Sequence, residues 1–328
     1  LEGEIDEKAK PEIGDRLLGV VFGLTAQLVE EGVATEKDTD SGALVGLRWA
    51  RGPFGMMNDL GLDRAMELVK QAADRHDLFS VPKLLTKQAK AGEPWALPDV
   101  KVEVGGGIAT ITMNRPEAMN VFTSDMMDAL GEAYQRCDED DAIRAVVVTG
   151  QGKAFCAGMD MSGGASTFGS HDEVDYTSCP LSTQAWQVRK PVIAACNGHA
   201  VGVGLGIAAQ CDMRVLAAEG KYGFVQNRRG VVADFAIEQI LPRLIGFERA
   251  FEMIVGGVRV SGTEAAEWGL ASRVVPADEV LNTAMDLARD MAANCAPLVM
   301  GLHKRLLWRA PDMNQGDYIE LETRALHH

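Results

Sequence analysis

The chain has 328 residues, a formal net charge of −15 and 47% hydrophobic content, enough for one large or two unequal globular units. The acidity and the lack of a basic stripe argue against a nucleic-acid partner, and no apolar run reaches the roughly 18 residues of a membrane helix, so no membrane partner is expected. Cysteines 137, 156, 179, 196, 211 and 295 form no C-x-x-C pair, which argues against a metal site or a disulfide framework and for a reduced, cytoplasmic setting.

The chain begins at Leu1 rather than methionine, and His327-His328 is set aside as tag-like. Residues 1–92 read as an all-helical domain. Ile13, Leu17, Leu18, Val21, Leu24, Leu28 and Val29 recur at helical spacing, and Glu31-Gly32 supplies a stop. Thr35 to Gly46 predicts a second helix entered through Thr35-x-x-Asp38. Arg51-Gly-Pro-Phe-Gly55 reads as a turn, followed by helices near 56–76 and 80–91. Residues 93–99, punctuated by Pro94 and Pro98, read as a linker. The period then changes to two. Val100-x-Val102-x-Val104 and Ile108-x-Thr110-x-Thr112 flank Gly105-Gly-Gly107, which predicts a hairpin. Thr123 to Cys137 predicts a helix capped near Thr123 or Ser124, and Ala145 to Thr149 a buried strand. From there strand and helix alternate, which predicts an α/β core of repeated β-β-α turns over 100–262 and a C-terminal helical region over 263–328.

Two glycine-rich turns stand out in that core. Lys190 to Ala195 reads as a buried strand leading into Asn197-Gly-His-Ala-Val-Gly-Val-Gly204 and a helix start over Leu205 to Cys211. Gly198, Gly202, Gly204 and Gly206 permit sharp turns and close backbone approach. The spacing breaks the dinucleotide pattern G-x-G-x-x-G, and no Gly-Lys-Ser/Thr marks a P-loop. A second turn, Gly150 to Asp160, follows the Ala145–Thr149 strand. Together two such turns can offer converging backbone N–H groups, the arrangement that acyl transfer and enolate chemistry need where charge grows on a carbonyl oxygen.

Residues 100–310 resemble the crotonase (enoyl-CoA hydratase/isomerase) superfamily. The matching stretches are Met113-Asn-Arg-Pro116 with Asn120, Ala154-Phe-x-Ala-Gly-x-Asp160, Lys190-Pro-Val-Ile-Ala194, Asn197-Gly-x-Ala-x-Gly-x-Gly204, Cys211-Asp212, Leu241-Pro-Arg-Leu-Ile-Gly246 and Glu264-Ala-x-x-x-Gly-Leu270. About 80 residues of the helical segment resemble the C-terminal helical domain of 3-hydroxyacyl-CoA dehydrogenases, through Glu12-Ile-Gly-Asp-Arg-Leu-Leu18, Glu30-Glu-Gly-Val-Ala34, Asp38-x-Asp40, Gly52-Pro-Phe-Gly-Met-Met-Asn-Asp59 and Gly61-Leu-Asp63. That family's nucleotide-binding domain has no counterpart in this sequence, so the segment is expected to serve packing or dimerisation rather than dehydrogenation.

The crotonase resemblance implies a ββα spiral, assembly as a homo-oligomer (a trimer or a dimer of trimers), and an acyl-CoA substrate. Coenzyme A then enters as part of the thioester, and no other cofactor is required. The thioester carbonyl is expected between the backbone N–H groups of Met159 and Val203, where the family usually has glycine at the second place. Ala118 falls where the family's backbone meets adenine. Ala157, Gly158, Gly202 and Gln226 are expected to border the substrate. Lys304 or Arg305 is expected either to meet CoA phosphates or to lie on a solvated helix face.

Hydratases of the family use two glutamates to activate water, and Gly206 and Gln226 stand at those positions. A carboxamide is no base near neutral pH. The remaining carboxylate is Asp234, placed where several relatives carry a proton-shuttling base; a helix N-cap is its alternative role. The expected activity is therefore an enoyl-CoA isomerase. The alternatives are the hydratase part of a bifunctional hydratase/3-hydroxyacyl-CoA dehydrogenase of fatty-acid β-oxidation, and a non-catalytic acyl-CoA-binding subunit. Asp160 is expected to be a structural loop residue, His199 loop support, Cys156 core, Ser162 to His171 a loop beside the acyl pocket, and Glu173 and Asp175 solvated.

Overall fold

A computed structural model describes residues 10–49, 51–75, 79–161 and 181–327. The chain divides into two compact units, Leu1–Pro98 and Asp99–His328. The first is helical: α1 (Lys10–Glu30), α2 (Glu36–Gly46), α3 (Pro53–Leu60), α4 (Leu62–Arg75) and α5 (Lys83–Ala91). Its core gathers Phe22, Phe54, Met57, Leu68, Val69 and Leu85. The Thr35 side chain caps α2 by accepting from the Asp38 N–H.

Two details differ from the sequence expectation. The helix expected over 56–76 is two helices, because Gly61 takes φ 89° and ψ 136° between them, a conformation open to glycine alone. The turn expected at 51–55 is the start of α3, with Pro53 in its first turn, where a missing N–H costs nothing. The buried Asp40 carboxylate accepts from the Phe54 and Gly55 N–H groups at 2.7 and 2.8 Å. Gly52 leaves the space that this carboxylate fills.

The second unit contains β1 (Val100–Gly105), β2 (Ile108–Met113), α6 (Ser124–Glu139), β3 (Ala145–Gly150), β4 (Ala154–Cys156), β5 (Val192–Cys196), β6 (His199–Val201), α7 (Val203–Ala209), β7 (Met213–Ala217) and β8 (Lys221–Gly223). Then come α8 (Ile237–Ile245), α9 (Phe247–Ile254), β9 (Arg259–Ser261), α10 (Gly262–Trp268), β10 (Arg273–Val275), α11 (Val280–Asn294), α12 (Pro297–Arg309) and α13 (Gln315–Leu326). The β1–β2 hairpin is antiparallel in the expected register, with Gly106 and Gly107 both at positive φ in its two-residue turn.

The strands form a six-stranded sheet, β1-β2-β3-β5-β7-β10, and a four-stranded sheet, β4-β6-β8-β9. Successive pairs (β3 and β4, β5 and β6, β7 and β8) place their first strand in the large sheet and their second in the small one. This is the repeated β-β-α unit. Alternate residues of β3 serve two cores. Val146 and Val148 join Phe122, Phe155, Leu205 and Phe235 in the main core; Ala145 and Val147 face Val280, Ala284 and Ala288 of α11. The stretch expected to be helical from 263 also supplies β10, which pairs with β7.

Asp40→Ala would strand two buried N–H groups at the start of α3. The expected loss is about 2–4 kcal/mol of stability, read as an earlier transition in thermal or denaturant unfolding of the full chain. Asp40→Asn, which keeps one acceptor, is expected to lose less.

Candidate active site

The two glycine turns meet side by side. β4 pairs in parallel with β6, Cys156 opposite Ala200. A Cβ on Gly204 would fall inside contact distance of the Cys156 carbonyl oxygen, and one on Gly198 would do the same at Lys153. Gly158 (φ 125°) and Gly202 (φ 58°, ψ −122°) hold turns that side chains resist.

Met159 forms an isolated parallel bridge with Phe122, in which Phe122 donates to Gly158 O at 2.8 Å and Asp160 donates to Phe122 O at 2.9 Å. That pattern turns the N–H of Met159 away from Phe122, and among the described residues it meets no acceptor. Val203 is the first residue of α7, so its N–H has no partner within the helix. Ala157 spends its N–H on Met119 O, and Ala118 its N–H on Arg115 O, both at 3.1 Å; what these two residues offer a ligand is their carbonyls and surfaces.

Gln226 and Phe235 pack against the buried first turns of α7. The Gln226 carboxamide lies 3.5 Å from where a Gly202 Cβ would stand, and neither of its polar atoms has a partner although both are buried. One turn along the same face, a Cβ on Gly206 would stand 3.1 Å from Phe235. The position of the first hydratase carboxylate is thus both empty of a side chain and covered by an aromatic ring. Asp234 precedes that ring. Its Oδ1 is buried without a partner. Burial pushes its carboxyl up to about 6, with a smaller push from Glu238 against the pull of its own backbone N–H. Burial also pushes the Cys156 thiol up to about 12, against the pull of its hydrogen bond to Gly158 O, with Asp234 adding to the rise.

Asp234 is not the cap of α8. That helix starts at Ile237, and its N-cap is Ala236 at φ 54°, with no side-chain bond. Phe235 itself has φ 60°, a conformation that strains a bulky residue. Gln210 holds it there. Its Nε2 donates to Phe235 O at 3.1 Å and to Gln184 Oε1 at 2.6 Å, and the latter also accepts from Trp186 Nε1. Nothing in the spacing of Gln210 betrays a partner 25 residues away.

Other motif residues are clamps. Asn120 accepts from Arg115 N and donates to Gln151 O and Ala154 O. Asn197 accepts from Gly150 N and donates to Gly152 O. Asp160 pairs with Arg115 at 3.3 Å. His199 accepts from Lys221 N through Nδ1, and Cys156 is buried core. Ser162 to His171, Glu173 and Asp175 lie outside the described residues.

Lys304 corrects the sequence expectation. It is neither on a solvated face nor open to a phosphate, being only 7% exposed. Its Nζ donates to Ala185 O and Lys190 O at 2.8 and 3.0 Å and pairs with Asp212 at 2.7 Å, which uses all three of its protons. Asp212 also accepts from Val192 N and Trp308 Nε1. Two clefts, of about 740 and 630 Å³, flank α12 and share Lys304 and Trp308. Neither is lined by Met159, Val203, Gln226 or Asp234.

The double-sheet spiral and its paired glycine turns define a crotonase-type fold. The sequence model described as enoyl-CoA hydratase/isomerase matches residues 103–328, and that described as the C-terminal domain of 3-hydroxyacyl-CoA dehydrogenase matches residues 13–95. The chain belongs to the enoyl-CoA hydratase/isomerase family. It is similar to an enoyl-CoA hydratase of Alternaria alternata, 34% identical over 67% of this chain and 75% of that one. It is also similar to the 1,2-epoxyphenylacetyl-CoA isomerase of Escherichia coli, 33% identical over 66% and 84%. Among solved structures, a probable enoyl-CoA hydratase/isomerase from Mycobacterium abscessus matches with a TM-score of 0.66 at 41% identity, covering 69% of this chain and 88% of that one. A monofunctional enoyl-CoA isomerase from M. smegmatis matches with a TM-score of 0.58 at 32% identity, covering 67% and 98%.

Lys304→Met is expected to cost about 3 kcal/mol, the scale of breaking a buried ion pair, read as a lower unfolding temperature. Its affinity for coenzyme A, measured by calorimetry, is expected to stay within twofold of the parent chain.

Proposed function

We propose that the chain is an enoyl-CoA isomerase that moves a double bond through an enolate. One observation carries this reading: Asp234, whose Oδ1 is buried without a partner, directly precedes the Phe235 ring that packs on Gly206, while the two positions that hydratases fill with glutamate hold Gly206 and Gln226. Coenzyme A enters as part of the thioester, and the chemistry calls on no further cofactor.

In this mechanism the thioester carbonyl oxygen accepts from the Met159 and Val203 N–H groups. The Asp234 carboxylate removes a proton from the α-carbon of a 3-enoyl thioester. The C–H electron pair moves into the carbonyl, and the two backbone donors stabilise the resulting enolate because they already point at the growing charge. The Asp234 carboxylic acid then returns the proton to the γ-carbon, which leaves the double bond between the α- and β-carbons. A base raised toward neutrality by burial is better matched to this exchange than a solvated aspartate.

The hydratase reading draws on relatives that carry that name. It would require the buried carboxamide of Gln226 to do what a carboxylate does, and a base at Gly206, where Phe235 leaves little room.

Asp234→Asn is expected to lower the interconversion of 3-hexenoyl-CoA and 2-hexenoyl-CoA by at least about a hundredfold, followed spectrophotometrically, without loss of thioester binding. The active form is the carboxylate, so kcat/KM of the parent chain is expected to rise with pH through about 6 and then level. Turnover unchanged in the variant would overturn the assignment, and brisk hydration of crotonyl-CoA by the parent chain would favour the hydratase.

A further inference from the structure

We infer that Gln210 is a positioning residue of the reaction: by holding the Phe235 carbonyl it keeps Asp234 from becoming the N-cap of α8, and so leaves that carboxylate free to act as the base. The inference rests on the isomerase reading above, in which Asp234 moves the proton.

Two unmet needs lie next to each other in the chain. α8 begins at Ile237 with no side-chain cap. Asp234, three residues earlier, has a buried Oδ1 without a partner, and aspartate is among the favoured capping residues. Only Phe235 and Ala236 stand between them, at φ 60° and 54°. If both took ordinary helical angles, α8 would start two residues sooner. The Asp234 side chain would then reach the N–H groups of the first turn and be spent on them.

Left-handed backbone is disfavoured by roughly one power of ten at each non-glycine residue, so two in a row need a hold. Gln210 supplies it from the buried end of α7. Its Nε2 donates to Phe235 O at 3.1 Å and to Gln184 Oε1 at 2.6 Å. The direction of this amide is set from outside. Trp186 Nε1 lies 2.9 Å from Gln184 Oε1, and an indole can only donate. Gln184 therefore presents its oxygen, and Gln210 must answer with its NH2 group, whose second proton goes to Phe235 O. Gln210 Oε1 has no partner, so the amide is held by its donor bonds alone. Leaving a buried carbonyl unpaired costs roughly one to two powers of ten, the same scale as the left-handed pair. Loss of this one donor is thus enough to bring the capped form within reach.

Among the described residues, two titratable groups bear on the Asp234 carboxyl. Glu238 of α8 raises it, and the Cys156 thiol of β4 is itself pushed up to about 12 and stays neutral. Neither is altered by a substitution at 210. Cap bonds favour the charged carboxylate, so a midpoint that moves down reports a captured Asp234, which a general loss of packing would not produce.

The test is the pH profile of 3-hexenoyl-CoA isomerisation by Gln210→Met, with Gln210→Asn, which keeps the amide but shortens its reach, as a second variant should the first fail to fold. The expected kcat is at least about tenfold lower with KM within about twofold of the parent. The midpoint of kcat/KM, about 6 in the parent chain, is expected to fall by roughly one pH unit or more. Adding Ala236→Gly, which makes the left-handed form at 236 free of side-chain strain, is expected to restore both. Turnover unchanged in the Gln210 variant overturns the inference alone, as does turnover reduced with the midpoint unmoved, or a double variant that stays impaired. A parent chain that shifts no double bond removes the isomerase reading and the inference with it.

Discussion

Everything at this site depends on two backbones lying closer than side chains allow. Gly204 sits against the carbonyl of Cys156 and Gly198 against that of Lys153. A single methyl at either place would force β4 and β6 apart. With them would go the spacing between Met159 and Val203, residues whose side chains are incidental to the role proposed for them. The valine at 203 illustrates this. It is buried in the main core and stabilises the start of α7, while its N–H has no partner within the helix.

The polar side chains near the site divide by whether their partners are found within the protein. Asn120, Asn197, Asp212 and Lys304 are tied to backbone or to each other, and Gln210 is tied through its Nε2 while its Oε1 has no partner. Buried groups of this kind stabilise one arrangement of loops over its alternatives, because any other arrangement leaves them unpaired. Arg214 belongs with them: it donates to the carbonyls of Cys211 and Leu270 and so ties the chain just after α7 to that just after α10. Gln226 and the Oδ1 of Asp234 form the other group. Gln226 lies against Gly202, Asp234 directly precedes the Phe235 that packs on Gly206, and both have hydrogen-bonding capacity that the fold leaves unused.

Much of this was legible in the sequence, for identifiable reasons. Helical spacing, a Thr35 cap, the Gly105–Gly107 turn and the apolar run at 145–149 are local signals, and each corresponds to an element. The motifs located both glycine turns. What the sequence hid was long-range. The break at Gly61 is invisible because glycine also occurs inside helices. Lys304 looks like any basic residue on a helix face until its acceptors arrive from 185, 190 and 212. Asp234 has the right neighbours for a cap, and only the left-handed backbone at Phe235 and Ala236 delays the helix past its reach. That backbone is held by Gln210, whose partners are distant in sequence.

The packing of Phe235 on Gly206 ties two positions 29 residues apart into a single choice. An aromatic ring at 235 is comfortable only over glycine, and a carboxylate at 206 has space only if the ring is gone. A side chain introduced at 206 therefore has to be matched by a shift or a shortening of the side chain at 235.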